Sequence, residues 1–315
     1  MTGPGGHPTL VTGAAGCIGA WVTAHLVNGG ADVVCLDRVE DRRRLRLIMD
    51  PGEVAALPWV VADIADPGAV AKAVSEYGVG VIIHLAALQV PFCKADPLAG
   101  ASVNVVGHVN VFEAARHCGG LPVVYASSVA ALPLASDPAY PSTLYGVYKA
   151  ADEGIARIYW RDWSVPSIGL RPHTVYGPGR DQGLTSAPTK AMLAAAAGRR
   201  YAIPFGGALL FQYAGEVAEI FARCAAAPVE DAYLFDLEGA KVTIPEIVAA
   251  IGRVVPGVEI SCEGEALPFT SALDDAPLRR LIGDWRPVPL DEGVERTVAA
   301  FRELLGRGLV RPEED

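Results

Sequence analysis

No apolar run in this 315-residue chain reaches the roughly eighteen residues that cross a bilayer, although 51% of its residues are hydrophobic. The first residues, Met1 to Pro8, also lack the basic and apolar regions of a signal peptide. Positive charge is scarce as well: the net charge is −10, and there is no basic stripe that would suit a nucleic-acid backbone. We therefore expect a cytoplasmic protein that binds neither a membrane nor nucleic acid.

Paired cysteines are missing too. The 6 cysteines lie far apart and form no Cys-x-x-Cys, which is typical of buried free thiols and gives no sign of a disulfide framework or a zinc knuckle. We predict no metal site. The one basic cluster, Arg42 to Arg44, is short and stands among acids, so we interpret it as a solvated helix or loop face.

Short β-rich apolar runs alternate with helix-length amphipathic segments in the first half of the chain. This alternation predicts an α/β fold, a Rossmann-like doubly wound parallel sheet with helices on both faces. Two helices are expected to end at Gly29-Gly30 and Gly119-Gly120, and another to begin at Asp66-Pro67. The predicted strands are Thr9–Thr12, Asp32–Asp37, Trp59–Ala62, Val79–Leu85, Val123–Ser127 and Ser167–Arg171.

A glycine-rich turn directly follows the first predicted strand. Its three glycines, Gly13, Gly16 and Gly19, open an Ala- and Val-rich helix. Glycines let the backbone approach a pyrophosphate, whose charge meets the free N–H groups at a helix N-terminus. The strand before and the helix after it supply the context that a dinucleotide fingerprint requires, and Ala15, Cys17 and Ile18 belong to the same predicted cofactor loop.

The choice of cofactor depends on the end of the second strand. Asp37 stands there, eighteen residues beyond Gly19, where a carboxylate can accept both ribose hydroxyls and repel a 2′-phosphate. This favours NAD over NADP. The neighbouring Arg38, which we include among the cofactor residues, is a group that could accommodate a phosphate instead.

Further motifs follow in order along the chain. They are Ala62-Asp63-Ile64, His84-Leu85-Ala86-Ala87, Asn104-Val105-Val106-Gly107, Ala126-Ser127-Ser128, Tyr145-Gly146-Val147-Tyr148-Lys149 and the run from Leu170 through Arg171-Pro172-His173-Thr174 to Gly179. With the glycine run, they make the chain similar to the NAD-dependent epimerase/dehydratase family, the extended short-chain dehydrogenases. The resemblance implies an NAD-binding Rossmann domain and a smaller C-terminal substrate cap.

The resemblance also implies roles for residues and an assembly. Asp63 and Ile64 flank the adenine, and Leu85, Ala86 and Ala87 line the ribose and nicotinamide side. The further cofactor residues from the same motifs are Asn104, Pro172, Thr174, Tyr145 and Lys149. We expect residues 1–171, with a returning segment near 212–237, to form the cofactor domain, and 172–211 with 238–315 to form the cap. A homodimer is implied through helices near Val103–Cys118 and Leu144–Trp163, whose apolar residues could equally face the chain's own sheet.

Tyr145 and Lys149 are the predicted chemical centre. Residues four apart share a helix face, and a nearby ammonium favours the phenolate form of a tyrosine, which makes it a competent general base. Ser128, the second serine of its pair, is predicted to hydrogen-bond the substrate oxygen. Tyr148 has no lysine four residues on, so we interpret it as structural.

The substrate is harder to read from the sequence. Nucleotide-sugar members of the family hold the diphosphate with arginines, but the matching position here is Leu209. We therefore expect an NAD-dependent oxidation of a small sugar, sugar acid or related polyol. A nucleotide-sugar epimerase with tightly bound NAD stays open and so, more remotely, does a non-catalytic NAD-binding regulator. Dehydration is disfavoured, because dehydratases of the family usually carry an Asp-Glu pair after the catalytic Ser or Thr, whereas Val129-Ala130 follow Ser128 here.

The polar loop from Gly179 to Ser186 either holds the substrate or is simply solvated, and the sequence does not decide between the two. A helix is expected just after it, near Pro188–Ala197. Our candidate substrate residues are Gln89, Ser128, His173, Arg180, Thr185, Ser186 and Gln212.

Overall fold

A computed structural model describes residues 6–134, 139–267 and 273–312. The first five residues of the N-terminal stretch examined for a signal peptide lie outside these ranges. Within them, no helix is both long and apolar enough to span a membrane. Two buried apolar clusters cover the two faces of a central sheet, and a third lies in the C-terminal part of the chain.

The central sheet has seven strands, all paired in parallel. They are β1 (Thr9–Thr12), β2 (Val33–Asp37), β3 (Trp59–Val61), β4 (Val81–His84), β5 (Val123–Ala126), β6 (Ser167–Arg171) and β10 (Ala232–Asp236). Their order across the sheet is β10-β6-β5-β4-β1-β2-β3. The predicted fold class is confirmed, and all six predicted strands form within two residues of the expected ends. The near-continuous apolar runs follow from burial on both faces.

Helices cover both faces of this sheet and build the C-terminal part. They are α1 (Cys17–Asn28), α2 (Pro51–Ala56), α3 (Ala69–Tyr77), α4 (Val90–Ala95), α5 (Pro97–Ala101), α6 (Gly107–His117), α7 (Leu144–Trp163), α8 (Ala187–Ala196), α9 (Ala214–Ala226), α10 (Ile244–Val254), α11 (Ala276–Ile282) and α12 (Leu290–Gly306). A π-helical turn, Ser102–Val106, connects α5 to α6, and short 3-10 turns lie at Leu45–Leu47, Val129–Ala131 and Leu184–Ser186.

Glycines end the helices where the sequence predicted. Helix α1 ends at Asn28, before Gly29 and Gly30, and α6 ends two residues before Gly119. The predicted start of a helix at Asp66-Pro67 is wrong. Helix α3 begins at Ala69, because Gly68 takes a φ of 96°, which is not a helical conformation, directly after the proline.

The C-terminal part has its own small sheets. Strands β7 (Thr174–Tyr176), β9 (Ala208–Tyr213) and β11 (Ala240–Thr243) form one, in the order β11-β9-β7, and β8 (Tyr201–Ile203) pairs with β12 (Ile260–Cys262). Their apolar side chains pack with those of α8, α10 and α12. The chain returns to the central sheet through β10, which lies within the predicted returning segment; the full division into two domains stays a prediction.

The strand order creates a crevice. From β1 the chain proceeds outward to β2 and β3, and then crosses back to place β4 on the other side of β1. At such a switch point the loops after neighbouring strands separate, and ligands bind outside the carboxyl ends. The loops that follow Thr12 and His84, the last residues of β1 and β4, are therefore the walls of the site.

Candidate active site

The glycine loop after β1 is shaped for close approach. Gly13 has a φ of +70°, and a Cβ there would lie 2.6 Å from the backbone nitrogen of Ala86. A Cβ on Gly19 would lie 2.1 Å from the carbonyl oxygen of Gly13. Helix α1 begins without a side-chain cap, so its first N–H groups remain available to a phosphate. This cradle, which side chains would fill, fits the pyrophosphate of a dinucleotide.

Asp37 ends β2 beside this loop. Its Oδ2 accepts a hydrogen bond from the backbone N–H of Ala15 at 2.9 Å, and its Oδ1 accepts one from Arg38 at 2.8 Å. Burial raises the pKa of Asp37, and the two backbone donors oppose that shift. The carboxylate lies in a cavity of about 520 Å³ whose lining also includes Asp63 and Ile64. These residues are suitably placed for the adenosine half of NAD.

A second cavity of about 220 Å³, here called the inner cavity, continues the first toward the cap. The two share lining residues, including Gly13, Leu85 and Gln89, and so form one crevice. Most of the predicted site residues line it. They are Gly13, Ala15, Gly16, Cys17, Ile18, Gly19, Asp37, Arg38, Asp63, Ile64, Leu85, Ala86, Ala87, Gln89, Ser128, Tyr145, Lys149, Pro172, His173, Arg180 and Thr185.

Two predicted cofactor residues line neither cavity in the described part of the chain. Asn104 is fully buried in the π-helical turn; its Oδ1 accepts from the Leu88 N–H at 2.7 Å, and its Nδ2 donates to the Leu88 carbonyl at 2.9 Å. It therefore holds the loop after β4. Thr174 is also buried, and its hydroxyl hydrogen-bonds Nδ1 of His173 at 3.0 Å. Both side chains therefore have supporting roles in these loops, and their direct contact with the cofactor stays a prediction.

The side chains of two predicted substrate residues likewise form hydrogen bonds with backbone groups. Gln212 is buried; it accepts from the His173 N–H and donates to the Leu237 carbonyl, both at 2.8 Å. Ser186 donates to the Gly183 carbonyl at 2.8 Å. Among the described residues that line the two cavities neither side chain is found, so each fixes a loop, and a direct contact with substrate stays a prediction.

The Tyr145 helix starts with a firm cap. The Thr143 hydroxyl accepts from the Gly146 N–H at 3.0 Å, which fixes the first turn of α7. One turn on, the buried Lys149 donates from Nζ to the Ala126 carbonyl at 2.8 Å. Tyr145 and Lys149 both line the inner cavity, as their spacing predicted.

The neighbouring serines have different partners. Ser127 is buried and donates to Oε1 of Glu153 at 2.5 Å, and Glu153 is in turn paired with Arg171 at 2.7 Å. Ser128 lines the cavity, and its Oγ accepts from the Ala130 N–H at 3.1 Å, which leaves its hydroxyl hydrogen for another acceptor. The choice of Ser128 as the substrate-facing serine agrees with this geometry.

Gly146 is a functional position that sequence reasoning missed. A Cβ on this residue would lie 2.1 Å from the carbonyl oxygen of Ala130, in the 3-10 turn after Ser128. Its lack of a side chain brings α7 against that turn, and so brings Tyr145 and Ser128 to one cavity. The signal in the sequence was the glycine directly after the tyrosine.

A second missed feature fastens the cap to the phosphate loop. Arg44 donates to the Ala15 carbonyl at 2.7 Å, to the Gly179 carbonyl at 3.0 Å and to Asp181 at 2.6 Å. Trp21 donates to the Pro178 carbonyl at 2.9 Å. The prediction that Arg42 to Arg44 form a solvated face is wrong for Arg42 and Arg44, whose side chains are 14% and 13% exposed, because both reach backbone carbonyls.

The loop after Gly179 places an arginine, Arg180, in the wall of the inner cavity. Arg180 donates to the Thr185 hydroxyl at 3.0 Å, while its buried Nε has no hydrogen-bond partner among the described groups. Gly183, with a φ of +88°, lies so close to Gln89 that a Cβ would approach its Oε1 to 1.9 Å. Gln89, Arg180 and Thr185 therefore meet in the wall of the inner cavity, and Gln89 and Arg180 also line the first cavity.

The comparisons with known proteins agree with this geometry. A model of the NAD dependent epimerase/dehydratase family matches residues 9–233. The chain belongs to this family. It is 32% identical over 317 residues to a UDP-glucose 4-epimerase of Mycolicibacterium smegmatis, covering 93% of this chain and 98% of that protein. The resemblance drawn from the motifs is confirmed.

Solved structures share this fold over most of the chain. A UDP-glucose 4-epimerase of Thermus thermophilus in complex with NAD is 26% identical, with a TM-score of 0.79 over 94% of this chain and 99% of that one. A partial-consensus L-threonine 3-dehydrogenase is 25% identical, with a TM-score of 0.82 over 94% and 99%. This member of the family is an NAD-dependent enzyme of the extended short-chain dehydrogenase type, and the predicted cofactor is confirmed.

Proposed function

We propose that the protein is a dehydrogenase that oxidises a carbinol of a small sugar, sugar acid or related polyol. The observation that carries this proposal is the sparse positive charge in the inner cavity. Of the described residues that line this cavity, Arg180 is the one arginine. Leu209, at the position where nucleotide-sugar enzymes carry an arginine, is buried in the core of the cap. A diphosphate is best held by several bidentate guanidinium contacts, whereas one arginine suits a single carboxylate.

The reaction divides among three side chains. NAD, when bound in the crevice, supplies the acceptor for the carbinol hydride. The Ser128 hydroxyl donates to the substrate oxygen and orients the carbinol. Tyr145 accepts the hydroxyl proton as the C–H bond breaks, so the substrate leaves as a carbonyl compound with NADH and one proton as the other products. Lys149 holds its charge beside Tyr145 and stabilises the phenolate.

Epimerisation of a nucleotide sugar is the second candidate, and the similarity to the mycobacterial UDP-glucose 4-epimerase over 93% of the chain favours it. The same serine, tyrosine and lysine would serve, and the hydride would return to the opposite face of the newly formed sugar carbonyl within one turnover. A non-catalytic NAD-binding regulator is less well supported, because a pure binding module has no need of a buried ammonium beside a tyrosine.

We expect stoichiometric NADH from a non-nucleotide substrate. Purified protein is incubated with NAD and a panel of free aldoses, uronic acids, aldonic acids, L-threonine and nucleotide sugars, while NADH absorbance and product identity are followed separately. One NADH per molecule of a free sugar or sugar acid supports the proposal. No net NADH, together with conversion of a nucleotide sugar to its epimer, contradicts it.

Arg180→Met is expected to separate acidic from neutral substrates. Loss of a charged hydrogen bond costs about 1.5–3 kcal/mol, so KM for a sugar acid should rise roughly 10- to 100-fold, while KM for a neutral polyol changes little. Steady-state kinetics on both substrate types measure this difference. The control is Arg307→Met, which removes an exposed arginine paired with Glu303 in the C-terminal part. An equal rise for both substrates would mean that Arg180 shapes the loop and does not bind the carboxylate.

We also propose a homodimer. Helix α7 has several large apolar side chains that are exposed in the single chain, including Leu144, Val147 and Ile158 at 44%, 43% and 38%. Val106, in the turn before α6, is 44% exposed. Apolar groups on these two adjoining segments support the pairing of copies through the helices that the resemblance implied.

A further inference from the structure

A buried carboxylate, that of Asp152, lies beside Lys149, about one helical turn further along α7. Residues three apart share a helix face, and Asp152 is fully buried with its Oδ2 3.2 Å from Nζ of Lys149. Its Oδ1 is buried without a hydrogen-bond partner in the described ranges. Buried polar atoms are nearly always paired, and the ammonium of Lys149 is the side-chain partner of this carboxylate in the described ranges.

Four other titratable side chains around Lys149 are in their neutral forms at neutral pH. His84 on β4 and His108 on α6, with rings 5.4 Å apart, have pKa values far below the usual one because of burial, with the charge of Lys149 adding to the effect. Burial also raises the pKa of the Cys93 thiol on α4 and of Tyr125 on β5. None of these four groups carries a negative charge that could balance an ammonium at neutral pH.

The remaining neighbouring acid is already paired. Glu153 makes two hydrogen bonds to Arg171, with Oε1 to Nε and Oε2 to Nη2 at 2.7 Å each, and it accepts from Ser127. Asp152 is therefore the carboxylate that balances Lys149 among the residues described. Burial alone would lower the pKa of Lys149, but the charge of Asp152 and the phenol of Tyr145 outweigh it and raise that pKa.

We propose that Asp152 is a positioning residue that keeps Lys149 protonated and holds its Nζ between the Ala126 carbonyl and its own carboxylate. The ammonium then stays charged where it must stabilise the Tyr145 phenolate and donate to the cofactor ribose. This inference rests on the Tyr145–Lys149 chemistry proposed above, and it holds for a dehydrogenase and for an epimerase alike.

Asp152→Asn keeps the shape of the side chain and removes its charge. A buried lysine without a counter-charge has a pKa lowered by about 3–5 units, so Lys149 should lose its proton as the pH rises above neutrality. We expect kcat/KM of the variant to fall relative to wild type as the pH rises, by on the order of 10-fold for each pH unit above the lowered pKa of Lys149.

The two pH profiles should converge on the acid side. Burial raises the pKa of Asp152 to about 6, against the opposing effect of Lys149, so below that pH the wild-type carboxyl also becomes neutral. The sign is therefore fixed: the effect of the substitution grows with rising pH and vanishes with falling pH. A merely structural role would lower the activity by the same factor at every pH.

The matched control is Asp162→Asn on the same helix. Asp162 pairs with Arg161 at the surface, with 37% of its side chain exposed, and its loss should leave the profile unchanged. Fluorescence titration with NADH adds a readout that needs no substrate: the Kd of Asp152→Asn should rise with pH as Lys149 becomes neutral, whereas that of the wild type should not. This second measurement stands even when the proposed substrate class is wrong.

A double variant covers the case in which Asp152→Asn does not fold. Removing one partner of a buried ion pair leaves an uncompensated charge, whereas removing both does not. Lys149→Met/Asp152→Asn should then fold and melt at a higher temperature than Asp152→Asn. A double variant as unstable as the single one, or an Asp152→Asn enzyme whose kcat/KM and NADH binding follow the wild-type pH dependence, overturns the proposal.

Discussion

Tyr145→Phe is expected to lose nearly all turnover while still binding NAD. The phenol is the group that accepts the substrate proton, and a positioned general base contributes about 10²–10⁴-fold to the rate. The substitution removes one oxygen atom from the cavity that Tyr145 shares with Ser128 and Lys149. We therefore predict a fall of kcat on the order of 10²- to 10⁴-fold, with the NADH dissociation constant changed much less.

Tyr148→Phe is the matched control, because the same atom is removed from the same helix. The Tyr148 hydroxyl donates to the Pro97 carbonyl at 3.0 Å, and Tyr148 lines neither cavity among the described residues. We expect wild-type kcat and a loss of about 1 kcal/mol in the free energy of unfolding, the usual worth of one hydrogen bond. Steady-state kinetics and thermal melts compare the two variants. Equal kcat in Tyr145→Phe and wild type would rule out Tyr145 as the base.

Features encoded by local spacing could be read from the sequence. The strands ending at Thr12 and Asp37, and the tyrosine and lysine four apart on α7, each depend on residues close together in the chain. Parallel strands buried on both faces give unmistakable apolar runs, and a glycine loop between a strand and a helix has one common use. For this reason the predicted sheet agrees with the structure, and most of the predicted cofactor residues line one crevice.

Polar residues whose partners lie far away in the chain could not be assigned in the same way. Asn104 and Gln212 stand in motifs that approach the cofactor and the substrate, yet both satisfy backbone groups of neighbouring loops. A buried amide can satisfy loop backbone as well as it can bind a ligand, and its sequence neighbours do not distinguish the two uses. Their supporting roles are therefore visible only in the tertiary contacts.

The roles of two charged residues were not predicted, for a related reason. Arg44 sits in a cluster of charges that is typical of a solvated face, but it reaches Gly179 and Asp181, 135 and 137 residues away. Asp152, three residues after Lys149, has the spacing of an ordinary surface ion pair. Burial gives both residues their importance, and the burial of a charged side chain is not encoded in local spacing.

Gly146→Ala is expected to lower activity by on the order of 10²-fold, the lower end of the range expected for Tyr145→Phe. The new Cβ would lie 2.1 Å from the Ala130 carbonyl oxygen, so α7 and the turn after Ser128 must move apart. A shift of about 1 Å between reacting groups can cost on the order of 10²-fold in rate. We predict a loss of that size in kcat, with the protein still folded and NADH still bound.

Gly154→Ala, further along the same helix, isolates this steric effect from helix propensity. A Cβ on Gly154 meets nothing within 4 Å, so the alanine should stabilise the protein by about 0.8–1.0 kcal/mol and leave kcat unchanged. Both variants gain the same helix-forming residue, and they differ in what the added methyl group touches. Full activity in Gly146→Ala would show that the contact between α7 and the Ser128 turn does not set the active geometry. Loss in Gly146→Ala alone would establish that Tyr145 and Ser128 work together because a glycine lets their two elements meet.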